Sequence, residues 1–353
     1  MSETMSAKLR PLGWRLLACL LLAACGLAPA VQSATPTPFT GQPRSVIVDT
    51  DMAGDDWMAI LYLLQRPDVK VEAITVTGAG EAHCGPGVRH ALGLVALSGR
   101  SGIPVACGRE TPLEGNHTFP AEWRAGVDSL YGLSLPEGSN ASSNQTAVER
   151  LTTTIQSSLE KVLVLTLGPL TNVAEALQAT PSLADKIEMI YIMGGAVDVP
   201  GNVGASGVGI DNPAAEWNIY VDPHAANVVL QSGAPVTLVP LDATNHAPVT
   251  TKFYQRLKDQ HASPEATFVF DVLTQNYGFI QSGGYYFWDP LAAAVLTDES
   301  LASIETRTLR VIEAEGPESG WTQTAADGGE VQVAVSADGK RFEQIFLDTL
   351  NAP

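Results

Sequence analysis

An open α/β sheet with helices on both faces is the fold this chain predicts, on three observations. Apolar runs rich in Val, Ile and Leu recur between turn residues, helical patterns separate them, and a dense carboxylate cluster follows the first run directly. Uninterrupted apolar strands are those buried on both faces, as in parallel sheets. Strand alternating with helix is the pattern of parallel βαβ units.

The elements follow in order. SVIVDT (45–50) is the first strand and DDWMAILYLLQRP (55–67) the first helical pattern. VEAITVTG (71–78) leads to GPGVRHALGLVALSGR (85–100), and IPVAC (103–107) to NQTAVERLTTTIQSSLE (144–160). KVLVLTLG (161–168) precedes PLTNVAEALQATPSLADK (169–186), then come IEMIYIMGG (187–195), DPHAANVVLQSG (222–233) and APVTLVPL (234–241). From about residue 305 the tail predicts a strand, turn-rich hairpins around ADGG (326–329) and ADGK (337–340), and a final helix, together an edge elaboration of the same domain. No internal repeat is evident.

The first 24 residues differ in kind. Lys8, Arg10 and Arg15 precede an apolar stretch from Leu16 to Ala24, the pattern of an export signal, too short to span a bilayer. Leu22–Cys25 reads LAAC and resembles the bacterial lipobox, in which the cysteine becomes the lipid anchor; the alternative is a cut after the small residues Ala28–Ala30. The expected organisation is a lipoprotein-type signal over 1–24, a Thr/Pro-rich tether over 25–43 and one domain over 44–353, exported to the periplasm and anchored to the membrane through Cys25.

With 45% hydrophobic and 16% charged residues the chain can build a sizeable core. Its net charge is −18, and loss of the leader's three cations and one anion moves it to about −20. Such a chain repels nucleic acid and favours a small, neutral partner. Beyond the anchor Cys25 only Cys84 and Cys107 remain, in the body of the chain, open to pairing in an oxidising compartment or to burial as thiols; no zinc spacing is present.

Asp49, Asp51, Asp55 and Asp56 fall within eight positions, where strand meets helix. In open α/β sheets ligands bind beyond the carboxyl ends of the strands. One or two of these residues could serve as turn or cap residues. Four close carboxylates repel one another, and a hard cation such as Ca²⁺ relieves that repulsion with oxygen ligands. DTDMA (49–53) resembles the Asp-x-Asp-x-Thr strand end of haloacid-dehalogenase-type phosphohydrolases, but Ala53 replaces the hydroxyl and no later Lys and paired-Asp motif follows.

DTDMAGDD (49–56) also resembles the D-x-D-x-G-x-D-D signature of the inosine–uridine-preferring nucleoside hydrolases, and four further segments agree in order and spacing. LGPLTNVAEAL (167–177), IYIMGGAVDVPGNV (190–203), AAEWNIYVDPHAA (214–226) and WDPLAA (288–293) are similar to that family's remaining motifs. The resemblance implies the nucleoside hydrolase fold, an open, mostly parallel Rossmann-like sheet flanked by helices. It implies Ca²⁺-dependent cleavage of the N-glycosidic bond of ribonucleosides, for nucleoside salvage, and a homo-oligomer. The alternative from another class is a periplasmic Ca²⁺-dependent nucleoside receptor without hydrolysis.

Carried over position by position, the resemblance makes Asp51 the base for the attacking water, and Asp51, Asp56, Asp289 and the carbonyl of Leu167 the metal ligands. Asp55 would hold the ribose 2′-hydroxyl, with Asn202, Glu216 and Asn218 on the 3′ and 5′ hydroxyls. Asp49 would support the cluster and Asp222 cap the helix that starts at Pro223. Where pyrimidine-preferring relatives carry a His before the last Asp this chain has Trp288, and it has Glu81 where many carry Asn. That is the arrangement of purine-specific members, which stack the base between aromatic rings, so Trp288 and Trp123 are candidate platforms. His83 and His117 lie in loops near the expected pocket. A family proline is replaced by Met52, a change expected to alter loop stiffness only, and the insertion GASGVGIDNP (204–213) is expected to reshape the sugar-side rim.

Overall fold

Val46, Ile47 and Val48 are fully buried in strand β1 (Arg44–Thr50), and they point alternately into two cores on opposite faces of one sheet. That alternation follows from the period of two along a strand, and it explains why β1 has no polar face. The computed structural model describes residues 41–138 and 144–352, all within the unit Thr40–Pro353. The leader, Cys25 and the tether up to residue 40 lie outside the described residues.

The first half alternates as the sequence predicts, except for one added helix, α3: α1 (Gly54–Gln65), β2 (Val69–Val76), α2 (Cys84–Leu97), β3 (Val105–Cys107), α3 (Ala121–Asp128), α4 (Ala147–Ser157) and β4 (Val162–Thr166). Helix α5 (Thr171–Ala179) is shorter than its pattern, because Pro181 opens a separate 3₁₀ stretch, Pro181–Lys186. β5 (Ile187–Met193), α6 (Trp217–Val221), α7 (Pro223–Leu230) and β6 (Val236–Val239) follow. A helical region that sequence patterning did not single out comes next: α8 (Leu241–Thr244), α9 (Thr251–Asp259), α10 (Pro264–Gln275), α11 (Tyr277–Ser282) and α12 (Trp288–Thr297).

The sheet runs β3-β2-β1-β4-β5-β6 in parallel, then β9 (Gly329–Ala337), β7 (Ala302–Val311) and β8 (Thr322–Thr324), with β7 antiparallel to both of its neighbours. The tail is thus an edge elaboration, as expected, but neither turn closes a hairpin. β8 and β9 flank β7 on opposite sides, so the segment around Asp327 carries the chain across the sheet. Asp338 of ADGK instead caps α13 (Gly339–Leu350), accepting from the Arg341 amide at 3.1 Å. An aspartate before glycine serves either purpose, and here the helix wins.

Strand order reverses between β1 and β4, so the crevice beyond their carboxyl ends is the place where this architecture holds a ligand. Two elements frame it. Cys84 at the start of α2 is bonded to Cys107 at the end of β3, with Cα atoms 5.6 Å apart. On the other side Phe119, Trp217 and Tyr220 form a small separate cluster. No helix among the described residues is long and apolar enough to cross a membrane.

Candidate active site

The turn from β1 into α1 brings the carboxylates together because its backbone is tied to its own side chains. Thr50 Oγ1 donates to Asp56 Oδ1, and the amides of Asp51 and Met52 donate to the same oxygen at 3.2 Å. Met52 sits at φ +61°, a left-handed conformation unusual for a branch-free but bulky residue. A proline has neither that φ nor the amide, so the family exchange at this position changes backbone geometry and hydrogen bonding, not loop stiffness alone.

Asp51 is hemmed in by two other loops. Glycine is required at Gly80 and at Gly168, where a Cβ would overlap the Asp51 side chain. The Asp51 carboxylate accepts from the amides of Glu81 at 3.1 Å and Ala53 at 3.4 Å. Asp289 arrives from the first turn of α12, which packs against α1. Two helix N-termini thus turn their positive ends toward Asp55, Asp56 and Asp289.

Oxygens of Asp55, Asp56 and Asp289 all lie within 4.8 Å of one another. Asp51 stands beside this trio, close enough that Asp56 is the strongest charge acting on it. The four carboxylates expected at the metal and the sugar thus meet at one focus, with Asp51 held by the Glu81 and Ala53 amides and its charge acting on Asp55. Asp56 Oδ2 and Asp289 Oδ1 are sealed in protein without a hydrogen-bond partner. Orphaned anionic oxygens at such a focus are what a hard cation satisfies, so the donor set fits a metal ion.

The electrostatics agree. Burial, then the Asp51 charge, pushes Asp55 up to about 7, and burial pushes Asp56 to about 7 against a hydrogen bond with Asp289. Asp51 and Asp289 are raised well above the usual range, by burial and then by Asp56 and Asp55 respectively. Glu81 is raised too, by burial and by the charges of Asp51 and Asp55. Each neutral carboxyl marks a charge the site cannot carry alone.

Asp49 does support the cluster. It accepts from Thr75 Oγ1 at 2.6 Å and from Asn172 Nδ2 at 2.8 Å, fully inside the protein. Asn172 was not singled out in the sequence, nor was Thr171, which donates to Asp222 at 2.7 Å. Together they explain the Thr-Asn pair: α5 is pinned to β1 and to α7. Asp222 caps α7 as expected, accepting from Ala225 at 3.0 Å.

On the side expected to hold the sugar, Glu216 is buried with both oxygens on backbone amides: Asn218 at 2.9 Å, Gly195 at 2.9 Å and Ile219 at 3.2 Å. Asn218 Nδ2 donates to the carbonyls of Leu167 at 3.3 Å and Met193 at 3.2 Å. Asn202 Oδ1 accepts from the Trp217 amide at 3.1 Å. Asn218 thus reaches the ends of β4 and β5, and the Glu216 charge acts on Asp55. The insertion 204–213 closes on itself through Gly204 N to Asn212 O at 2.7 Å and is latched to the tail by Asn212 Nδ2 to Ser319 O at 2.7 Å.

The side expected to face the base is aromatic. Trp288, next to Asp289, is half-buried among Phe279, Tyr285 and Tyr286 at ring separations of 6.4, 5.7 and 5.8 Å. Trp123 packs edge-on to Trp217 at 5.2 Å, while its neighbour Arg124 donates to the Gly78 carbonyl at 2.9 Å, tying α3 to the loop that carries Glu81. His83 pairs with Asp128 at 2.7 Å on the exterior. His117 has both ring nitrogens occupied, by the Tyr220 carbonyl at 2.7 Å and Glu315 at 3.0 Å. His224 pairs with Glu313 at 3.0 Å near the surface.

The model of the family described as inosine-uridine preferring nucleoside hydrolase matches residues 46–344. A relative from Escherichia coli K12, named pyrimidine-specific ribonucleoside hydrolase RihA, is 36% identical over 269 residues, covering 74% of this chain and 82% of that protein. Among solved structures, a plant nucleoside hydrolase, PpNRh1, superposes with TM-score 0.79 at 30% identity, covering 88% of this chain and 100% of its own. A purine-preferring ribonucleoside hydrolase from Gardnerella vaginalis gives 0.75 at 28% identity, covering 87% and 98%.

Proposed function

The chain belongs to the inosine-uridine preferring nucleoside hydrolase family, and on that premise we propose that it is a Ca²⁺-dependent hydrolase of purine nucleosides, exported for nucleoside salvage. Membership makes it a hydrolase of ribonucleoside N-glycosidic bonds, which sets aside the phosphohydrolase alternative. The observation that carries the metal reading is the focus of Asp55, Asp56 and Asp289 with orphaned oxygens beside Asp51.

In this reading Asp51, Asp56, Asp289 and the Leu167 carbonyl hold the ion, which when bound supplies charge to polarise water and to grip the ribose diol. Asp51 takes the proton of the attacking water, whose oxygen bonds C1′ as the C1′–N bond breaks and its electron pair passes to the base. Asp55 accepts from the 2′-hydroxyl, and Asn202, Glu216 and Asn218 hold the 3′ and 5′ hydroxyls. The buried first turns of α1 and α12 keep these groups rigid and dry.

Names of relatives point to different bases, so purine preference rests on this chain's own residues. Trp288 lies beside the last Asp with Trp123 as a second platform, and stacking favours the larger ring system. Glu81 supplies a polar group beside them. The deciding ratio is kcat/KM for inosine over uridine; a ratio at or below one refutes the preference.

Export is supported by the leader pattern and by the Cys84–Cys107 bond, a feature of oxidising compartments. Mass spectrometry of the mature N-terminus distinguishes a lipid-modified Cys25 from a cut beyond Ala30. A homo-oligomer, proposed on family grounds, is read by light scattering. The test of hydrolysis itself is ribose release from inosine with and without chelator; calcium-dependent nucleoside binding with no ribose would indicate a receptor.

A further inference from the structure

Leu130 and Tyr131 both adopt left-handed backbone, at φ +55° and +51°, and Gly132 continues it at +78°. Consecutive non-glycine residues in this region are strained, so something must make a tyrosine worth having where glycine would fit freely. The turn delivers the ring to the mouth of the site. Its Cε2 and Oη come within 2.9 and 3.3 Å of where a Cβ on Gly54 would be, so the first residue of α1 has to be glycine to admit it. The other side of the ring rests on Trp57, at 5.2 Å between centroids.

Anchored on two sides, the ring has one polar atom to place. The hydroxyl forms no hydrogen bond among the described residues, and it is not sealed in protein as the orphaned atoms of Asp56 and Asp289 are. Glu81 is the strongest charge acting on it, followed by Asp55, Asp56 and Asp51. Tyr285 has Asp55, Tyr131 and Glu81 as its nearest influences, so the two phenols and Glu81 share one space between the sugar-facing Asp55 and Trp288. Burial and those carboxylates keep Tyr131 protonated, hence a donor.

Resting on the hydrolytic reading above, we propose that Tyr131 is a catalytic residue for the leaving group, its hydroxyl donating a hydrogen bond to an acceptor atom of the departing nucleobase. As C1′–N breaks, its electron pair places negative charge on the base, and a donor fixed in advance near that charge stabilises it more than it stabilises bound nucleoside. Tyr131 keeps its proton throughout. The base completes its valence with a proton from solvent, while the attacking water's proton goes to Asp51.

The test compares leaving groups. With inosine, Tyr131→Phe should lower kcat/KM roughly 10- to 100-fold, the worth of one hydrogen bond to developing charge. With p-nitrophenyl β-D-ribofuranoside, whose leaving group already disperses its charge, the same variant should change kcat/KM less than about threefold. Tyr131→Gly, which suits the left-handed backbone, should repeat this contrast and serves if the Phe variant folds poorly. Equal losses on both substrates, or none on either, overturn the assignment while leaving the hydrolase reading intact. A wild-type protein that cleaves neither substrate overturns both.

Discussion

The carboxylate half of the site is written almost entirely in one stretch, Asp49–Asp56, whereas the aromatic half is gathered from Glu81, Trp123, Tyr131, Tyr285 and Trp288 on separate loops and helices. The first half is held by short-range bonds: Thr50, Asp51 and Met52 all donate to Asp56. The second is held by packing, Trp123 on Trp217 and Trp288 on Tyr285. The contrast teaches a division between chemistry and selectivity. Damage to the first should abolish turnover for every nucleoside, and damage to the second should change which base is cleaved.

The largest effect tests the first half. Asp51→Asn should lower kcat by roughly 10²- to 10⁴-fold, the worth of a general base, while weakening Ca²⁺ binding less. Near-normal turnover would remove Asp51 from its role. Asp289→Asn should act through the metal: Ca²⁺ affinity, measured by calorimetry, should fall at least about tenfold, with turnover partly restored by excess ion. If affinity is unchanged, Asp289 is not a ligand of the ion.

The second half predicts unequal effects. Trp288→Ala should reduce kcat/KM for inosine roughly 5- to 100-fold, as loss of one stacked ring does, and reduce that for uridine less. Equal losses would erase the distinction between the halves.

This contrast also explains what could be read from the sequence. Parallel strands and the acidic turn were legible because both are local: apolar runs and close carboxylates need no knowledge of the fold. Asp289 was reached only by family resemblance, as no spacing rule links it to Asp51 across the chain. Tyr131 escaped notice because its role depends on a left-handed backbone and on the space left by Gly54, neither of which is a sequence pattern. Asn172 escaped for a similar reason, since a helix-start asparagine gives no sign that it reaches Asp49 on another strand. ADGK misled because aspartate before glycine serves turn and helix cap alike.

A smaller effect concerns pH in the metal-free protein. Asp55 and Asp56 titrate at about 7 in the fold, against an ordinary 3.8. Between those values the folded state holds protons that the unfolded chain has lost, so stability is full at low pH and falls as pH rises toward 7. The Tm of chelator-treated protein should therefore drop from about pH 5 to pH 8, and Ca²⁺ should remove most of the drop by taking the protons' place. A Tm that rises over this range, with no Ca²⁺ response, would contradict the electrostatic account.

Smallest is the support beneath Asp49. Asn172→Ala removes a donor to a buried carboxylate and should cost about 1–3 kcal/mol of stability, measured by denaturant unfolding, with base preference unchanged.

The most direct measurement is ribose release from inosine by the full-length protein, first after chelation and then with Ca²⁺ restored. The account predicts no release after chelation and full recovery with the ion, because the carboxylates need it to act. Release that is indifferent to chelator, or absent at every Ca²⁺ concentration, would contradict it.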